Sequence, residues 1–319
     1  MSGKNDFAIT RTSGLGVTPE LSFGGVTSFL RRPYTKDLTY ADVAVSGIPF
    51  DCATTSRPGT RLGPRQIREM SALLPWEAPF GWAVNPYDTL AIVDYGDCAF
   101  DHALVSTIPQ AITDHIRTIL AHGAVPITLG GDHYITYPIL KAIAEKHGPV
   151  AIIQFDAHSD IWPDDNPDRI DHGTMMYRAV KDGLVDVARS AMVGIRTTID
   201  DPLGVTILDS LWVHEHGPKA VIERLRQIVG DGPAYVTFDI DGLDPAFAPG
   251  TGTPVFGGLT SGQVALILRG LAGIDIVGGD VVEVSPPFDT TGATAVAGSA
   301  IALDLICLLA ARRGGARNG

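Results

Sequence analysis

Cysteine is scarce in this sequence, with three residues among 319. Cys52, Cys98 and Cys307 are odd in number, far apart and surrounded by apolar or small residues. This spacing excludes the framework of a small disulfide-rich secreted protein and predicts free, buried thiols in a reducing compartment. The first six residues, MSGKND, also lack the apolar core of a signal peptide. We therefore expect a cytoplasmic protein.

Positive charge is the second deficit. Lys and Arg number 24 against 36 Asp and Glu, which gives a net charge of -12 and a pI near 5.1. No stripe of Lys or Arg occurs, so we expect no nucleic-acid partner. The most apolar late segment, residues 300–311, is short and contains Asp304, so we expect no membrane partner. Such a charge suits a small cationic substrate, although acidic soluble proteins are also commonplace.

From residue 42 onward, apolar segments of strand length alternate with segments of helix length. This alternation is typical of parallel strands joined by crossover helices, and thus of an α/β fold. No Pro/Ser-rich linker or internal repeat interrupts it, so we predict one domain over residues 39–319. Residues 1–38 are predicted to form an irregular arm that packs on the body or on a neighbour. The predicted strands are 43–49, 90–96, 125–130, 150–156, 191–195, 205–208, 234–239 and 277–284, and the predicted helices are 64–74, 106–122, 134–147, 175–181, 218–229, 261–271 and 294–311.

The most informative stretch is residues 154–160, QFDAHSD, which follows a short apolar run rich in β-branched residues. We interpret the run as a buried strand that ends in polar residues. Side chains two positions apart on an extended chain point the same way, so Asp156, His158 and Asp160 can converge. Because two carboxylates and an imidazole form a costly cluster without a cation, we interpret them as metal ligands.

Two other strand ends add residues of the same kind. Asp239 and Asp241 follow an apolar run, again two positions apart, and His133 ends a GGDH segment at the start of a helix. Each has a structural alternative, since His133 alone is better explained as a hydrogen-bonded helix-start residue and the Asp pair could cap a helix. Asp244, which precedes a proline, is interpreted as a turn-former. Ligands of open parallel sheets bind beyond the carboxyl ends of the strands, where these residues lie.

Together, the candidate ligands are four carboxylates and two imidazoles, whose charges balance two divalent cations. Oxygen-rich ligation without thiolate favours manganese over tetrahedral zinc. Two such ions about 3.5–4 Å apart would generate a bridging hydroxide near neutral pH, the nucleophile of a hydrolase. The six residues are His133, Asp156, His158, Asp160, Asp239 and Asp241.

Three segments together resemble the ureohydrolase family, the arginase and agmatinase group. They are residues 130–133 (GGDH), 156–160 (DAHSD) and 239–245 (DIDGLDP), in the family's order and spacing, and the likeness extends from about residue 47 to 311. The resemblance implies a three-layer α/β/α sandwich on an eight-stranded, mainly parallel sheet. It also implies a dimanganese centre that hydrolyses a guanidinium group to urea and an amine, and assembly as trimers or hexamers.

The resemblance further implies a role for each ligand. Asp160 would orient the hydroxide by a hydrogen bond in addition to binding metal. The implied assignment is Asp156 and Asp239 as bridges, His133 and Asp160 at one metal, and His158 and Asp241 at the other.

Two more residues match the family's pattern. His172, in residues 171–174 (DHGT), would shuttle a proton to the leaving amine, and an imidazole suits that role. Without the match, His172 is a loop histidine with no assigned task. Glu283 is a charge in an apolar strand and would bind the guanidinium, because a buried carboxylate is costly unless it has a cationic partner. Its structural alternative is a salt bridge to an arginine.

The sequence gives less information about the part of the substrate beyond the guanidinium group. Segments around residues 172–177, 183–186, 193–197 and 235–238 resemble bacterial agmatinases more than arginases, which implies agmatine as substrate and putrescine as product. Residues 162–170, with Trp162 at their start, are predicted to form a loop over the pocket whose three Asp suit a cationic tail. Met176 departs from the phenylalanine usual in similar agmatinases and is predicted to shape the pocket.

Other activities stay open at this stage. Guanidinobutyrase, guanidinopropionase or another guanidino-acid amidinohydrolase would need a cation for the carboxylate tail, for which Arg169 and Arg178 are candidates. A deacetylase-type hydrolase would hold one zinc rather than two metals. A catalytically silent member would typically have lost ligands, and none of the six is lost.

Overall fold

Eight parallel strands form one sheet in this computed structural model, which describes residues 21–74, 77–166 and 168–317. The strand order is β2-β1-β3-β8-β7-β4-β5-β6. The strands are β1 (Val43–Gly47), β2 (Ile92–Asp97), β3 (Val125–Leu129), β4 (Ala151–Phe155), β5 (Ala191–Val193), β6 (Thr206–Leu208), β7 (Pro233–Asp239) and β8 (Asp275–Val282). The helices are α1 (Gly63–Ser71), α2 (Pro86–Thr89), α3 (Ile108–Ala121), α4 (Thr136–His147), α5 (Met175–Lys181), α6 (Ser210–Val229), α7 (Ser261–Gly270) and α8 (Ala293–Arg317).

Helices cover both faces of the sheet, which confirms the predicted three-layer α/β/α architecture. Alternate residues of a strand face opposite layers. In β1, Val43 and Val45 belong to the core shared with α1, α6, α7 and α8, whereas Ala44 belongs to the core shared with α3, α4 and α5. Strands buried on both faces explain the nearly continuous apolar runs in the sequence.

The four central strands carry the predicted site residues at their carboxyl ends. His133 follows β3, Asp156 follows β4, Asp239 ends β7 and Glu283 follows β8. These strands are consecutive in the sheet as β3-β8-β7-β4. Segments far apart in sequence therefore meet at one edge.

Several helix boundaries differ from those predicted. Helix α6 consists of two helical segments separated by a kink at Gly217, whose backbone is not helical (φ 76°, ψ 171°). The predicted start at 218 coincides with the second segment, and the first segment, which begins at Ser210, was not predicted. The short helix α2 was not predicted. All three cysteines are free, but Cys52 is exposed, so the predicted burial is confirmed only for Cys98 and Cys307. The residues before α4, His133–Ile135, form a 3-10 turn capped by the Asp132 side chain, which accepts from Tyr134 N.

Residues 1–20 of the predicted N-terminal arm lie outside the described residues. The described part packs on the body, with Phe29 and Leu30 fully buried in the core. Its backbone is held by a hydrogen bond from Phe29 N to Asp94 Oδ2 at 2.7 Å and another from Leu30 N to Ser71 Oγ at 2.8 Å.

Helix α8 is long and apolar enough over Ala293–Gly314 to cross a membrane by length and composition, with a mean hydropathy of 2.0. However, 72% of this apolar window is buried inside the fold. Leu305, Ile306 and Leu308 pack in the hydrophobic core. The core therefore accounts for the apolar character of the helix.

Candidate metal centre and adjoining cavity

The deepest part of the candidate centre surrounds the imidazole of His133. Its Nδ1 atom lies 2.9 Å from Asp160 Oδ2, 3.1 Å from Asp156 Oδ2 and 3.3 Å from Asp239 Oδ2. His133, Asp156 and Asp239 are nearly or completely buried. Three carboxylates from two strand ends thus converge on one ring nitrogen.

A second group of ligand atoms adjoins the first and shares Asp156 with it. His158 Nδ1 lies 3.1 Å from Asp241 Oδ2 and 3.6 Å from Asp156 Oδ1. The structure therefore brings together all six predicted ligands in two overlapping groups. The Asp244 carboxylate accepts hydrogen bonds from the backbone N–H groups of Ala246, Gly257 and Gly258. These bonds fit a residue that forms a turn rather than a metal ligand.

Backbone and side-chain donors fix these carboxylates. Asp156 accepts from His158 N at 2.6 Å and from Gln154 Nε2 at 2.8 Å. Asp241 accepts from Ala157 N at 3.1 Å, which ties the loop after β7 to the loop after β4. Gly242 permits this approach, because a Cβ there would lie 2.9 Å from the backbone nitrogen of Asp156.

The clustered charges shift one another's pKa values. Burial raises the pKa of Asp239 well above its usual range, and the charges of Asp241 and Asp156 add to this. Burial and Asp156 likewise raise the pKa of Asp160. Burial lowers the pKa of His158, but hydrogen bonds to Asp156 and Asp241 outweigh it and raise the value to about 12. The cluster therefore favours added positive charge.

The surroundings of one buried atom, His133 Nδ1, indicate that a metal cation supplies the positive charge that the cluster favours. Within the part of the chain that the structure describes, His133 Nδ1 makes no hydrogen bond, although three carboxylate oxygens surround it. An imidazole nitrogen directed at several carboxylate oxygens is a typical ligand arrangement for a divalent cation. The residues present fit a metal, and the fit rests on this geometry.

Two of the predicted site residues have left-handed backbone conformations that the sequence does not reveal. Asp160 has φ 52° and Glu283 has φ 63°. Such conformations cost about 1–3 kcal/mol in residues other than glycine and concentrate at functional sites. The Asp160 carbonyl accepts from Met176 N and Tyr177 N in the first turn of α5, and Glu283 N donates to Gly131 O. These bonds hold both residues in place.

His172 and Glu283 form a hydrogen-bonded pair next to the ligands. His172 Nδ1 lies 2.8 Å from Glu283 Oε1, which also accepts from His133 N at 2.9 Å. Thr55 N donates to His172 Nε2 at 3.2 Å, so Nδ1 holds the proton of the neutral ring. Burial lowers the pKa of His172, but Glu283 outweighs it and raises the value to about 10. Glu283 Oε2 is buried and has no hydrogen-bond partner among the described residues.

A cavity of about 100 Å³ opens onto this centre. Trp162 lines it and is 61% exposed, with its indole ring against Gly173. Met176, by contrast, is fully buried in the core and does not line the cavity. Its backbone N–H donates to the carbonyl of Asp160 at 3.0 Å. The cavity is lined by Thr55, His158, Asp160, Trp162, Asp171, His172, Gly173, Thr197, Asp239 and Thr253.

Two charged residues of the loop over the cavity, Asp164 and Arg169, form ion pairs with residues just outside it. Arg178 donates to Asp164 Oδ2 at 2.8 Å, and Arg169 donates to Asp171 Oδ2 at 2.6 Å. Neither arginine lines the cavity. Among the described residues that do line it, none is Lys or Arg, so the wall offers no cationic side chain to a carboxylate tail.

Sequence reasoning missed several residues that support the site. Thr55 contacts His172, Gln154 contacts Asp156, and Thr237 contacts His133. Thr237 stands two positions before Asp239 and therefore faces the same side of β7. Asp280 was also missed, although it is a charge in an apolar strand like Glu283.

Known proteins match this chain over most of its length. The family model described as Arginase family matches residues 41–307. An agmatinase from Chromobacterium violaceum is 52% identical over 95% of each chain. The structure of a hypothetical agmatinase from Burkholderia thailandensis has a TM-score of 0.94 at 55% identity, covering 98% of this chain and 99% of its own. The proclavaminate amidino hydrolase of Streptomyces clavuligerus has a TM-score of 0.86 at 34% identity, covering 92% and 100%. This chain therefore belongs to the arginase family.

Proposed function

We propose that this protein is an agmatinase, which hydrolyses the guanidinium group of agmatine to putrescine and urea. The observation that carries the proposal is the pair of overlapping ligand groups beside the His172–Glu283 pair. Similarity to the Chromobacterium violaceum agmatinase supports the choice of substrate. The reaction supplies a diamine of the kind used in polyamine biosynthesis.

We assign two Mn²⁺ ions to the ligand groups. His133, Asp156, Asp160 and Asp239 would hold one ion, and His158 and Asp241 would complete the other, with Asp156 and Asp239 shared. Oxygen-rich ligation with imidazole and without thiolate supports manganese. When bound, the ions supply Lewis acidity that activates water and polarises the guanidinium carbon.

The chain's own residues then bind the substrate and move protons. Glu283 Oε2 accepts a guanidinium N–H, which turns a buried, unpartnered carboxylate oxygen into half of a charge-assisted pair. Asp160 accepts a hydrogen bond from the attacking water and orients it. His172, whose raised pKa keeps it protonated at neutral pH, donates its Nδ1 proton to the leaving nitrogen as the C–N bond breaks and becomes neutral. The amine and urea are released, and the proton given up by the attacking water restores the charged ring.

The cavity supports a substrate whose far end is not anionic. Its described wall includes Asp171 and the face of Trp162 and no Lys or Arg. An indole face attracts ammonium groups. We therefore propose that Trp162 contacts the aminobutyl chain of agmatine, and that Met176 acts through its backbone contact with Asp160.

A guanidino acid is the second candidate substrate. The structural similarity to proclavaminate amidino hydrolase favours it. A neighbouring cavity of about 280 Å³, which shares Trp162 with the first, contains Lys181. A longer substrate that passed Trp162 would meet that ammonium group.

Urea release by the Mn²⁺-loaded protein tests these alternatives. We expect the highest kcat/KM with agmatine, compared with arginine, 4-guanidinobutyrate and 3-guanidinopropionate, and loss of activity in Asp156→Ala. Metal counting by emission spectrometry should find two Mn²⁺ per chain, whereas one zinc would indicate a deacetylase-type hydrolase. The absence of urea from every guanidino compound at full metal loading would refute the proposal.

We also propose a cytoplasmic homo-oligomer in which residues 39–319 form one catalytic domain. The single sheet supports one domain, and exposed aromatic side chains such as Phe80 and Phe256 support burial against other copies. Light scattering should give the mass of a trimer or hexamer. A monomeric mass at micromolar concentration would contradict this assembly.

A further inference from the structure

Behind His133 lies a chain of hydroxyl and carboxylate groups to which no role has yet been given. His133 Nε2 lies 2.9 Å from Thr237 Oγ1, and Thr237 donates to Asp280 Oδ1 at 2.6 Å. Asp280 Oδ2 accepts from the Tyr235 hydroxyl at 2.7 Å and from the Thr136 hydroxyl at 2.9 Å. All five residues are fully buried, so these contacts exclude solvent.

The donors and acceptors in this chain fix the position of one proton. A threonine hydroxyl has a single proton, and that of Thr237 is donated to Asp280. The Thr237 oxygen must therefore accept from His133, which places the imidazole proton on Nε2. Nδ1 is left with its lone pair, and Nδ1 is the atom surrounded by carboxylate oxygens.

We infer that Asp280 and Thr237 are positioning residues that hold His133 in the tautomer that binds a metal through Nδ1. Asp280 orients the hydroxyl dipole of Thr237, and the bond to Thr237 sets the plane of the imidazole ring. Partners of this kind around a ligating histidine also raise its basicity, and their loss typically weakens metal binding by 10–100-fold. The inference rests on the proposed metal centre and concerns its affinity rather than the substrate.

The sheet provides a matched control for the hydrogen-bonded series His133–Thr237–Asp280, here called the relay. Asp280 on β8 stands opposite Thr237 on β7 and opposite Thr128 on β3. Thr128 is also fully buried, but its hydroxyl makes no hydrogen bond to any residue in the described ranges. Thr128→Val and Thr237→Val therefore make the same chemical change on the two sides of Asp280, and only the second breaks the relay.

Metal titration of the metal-free protein tests the inference without measuring activity. Mn²⁺ binding by the wild type, Thr237→Val, Thr237→Ser, Asp280→Asn and Thr128→Val would be followed by electron paramagnetic resonance of the free ion. We expect Thr237→Val and Asp280→Asn to weaken one of the two binding constants by about 10–100-fold. Thr237→Ser, which keeps the hydroxyl, and Thr128→Val should leave both constants near the wild-type values.

The outcomes separate the relay from the proposed function. If the wild type binds two Mn²⁺ and Thr237→Val binds both equally tightly, the relay is wrong while the metal centre stands. If the wild type binds no Mn²⁺, the proposed function fails first. Circular dichroism checks that each variant is folded, and Thr237→Val decides the matter if Asp280→Asn does not fold.

Discussion

Replacing Gly252 by alanine tests whether the unpartnered oxygen of Glu283 receives the guanidinium. A Cβ at this position would lie 3.3 Å from Arg57 O and 3.7 Å from Glu283 Oε2. The first contact is tight but can be relieved by a shift of a few tenths of an ångström, and the second is an ordinary van der Waals distance. Gly252 is not among the glycines with positive φ, so alanine is compatible with its backbone. We therefore expect the fold to tolerate the methyl group.

The expected effect on catalysis follows from the place of that methyl. It would occupy space beside Oε2 that a guanidinium N–H needs, and a hydrogen bond to a charged group contributes about 1.5–3 kcal/mol. Since about 1.4 kcal/mol corresponds to a tenfold change in rate, kcat/KM for agmatine should fall by roughly 10- to 150-fold. The free energy of unfolding should change by less than about 1 kcal/mol.

Three measurements check this prediction: urea release over a range of agmatine concentrations, bound Mn²⁺ by emission spectrometry, and thermal unfolding. Gly262→Ala is the matched control, because a Cβ there meets nothing within 4 Å. Wild-type kcat/KM in a folded, fully metallated Gly252→Ala protein would refute the assignment of Oε2 to the guanidinium.

Three further predictions concern the cavity, the metals and a histidine far from them. Trp162→Ala should raise KM for agmatine about fivefold, because the indole ring contributes about 1 kcal/mol to binding of the cationic aminobutyl chain. Trp162→Phe should retain most of the affinity. Equal KM values for the wild type and both variants would contradict a contact between Trp162 and the substrate. Chelation of Mn²⁺ should lower the midpoint of thermal unfolding, since ions at 100 times their Kd add about 2.7 kcal/mol of stability; a midpoint insensitive to chelator would argue against metals bound in the folded core. Burial lowers the pKa of His115 to about 4, below its value of about 6.5 in the unfolded chain, so stability should fall by up to roughly 3 kcal/mol as pH decreases from about 6.5 to about 4. Urea unfolding at pH 7 and pH 5 should show less of this loss in His115→Gln, and identical pH dependence of the two proteins would rule out His115 as its source.

The strand ends that carry the ligands could be predicted because their chemistry interrupts apolar runs. Burying a carboxylate such as Asp156 or Asp239 at the end of a buried strand costs free energy unless a cation or hydrogen-bond donors compensate for it. The same argument applies to Asp280, but its partners are the hydroxyl groups of Tyr235 and Thr237 on β7 and of Thr136 on α4. The proximity of Tyr235 and Thr237 depends on the register of β7 and β8, and that of Thr136 on the packing of α4, neither of which one strand's sequence specifies.

Other features depended on side-chain direction. Met176 is close in sequence to His172, yet helix α5 turns its side chain into the core. In the acidic loop that suggested attraction for a cation, Asp164 is paired with Arg178, and the loop's Arg169 is paired with Asp171 just beyond it. Composition counts charges but does not reveal which of them neutralise one another.

The position of β8 has a consequence for how the chain reaches its folded state. This strand is synthesised after the other seven, yet it lies between β3 and β7 in the middle of the sheet. Until residues 275–282 leave the ribosome, the strands can form only two separate groups, β2-β1-β3 and β7-β4-β5-β6, each with an unpaired edge. Such edges are prone to association with other chains. A fragment that stopped before β8 should therefore aggregate rather than remain as a folded half of the protein.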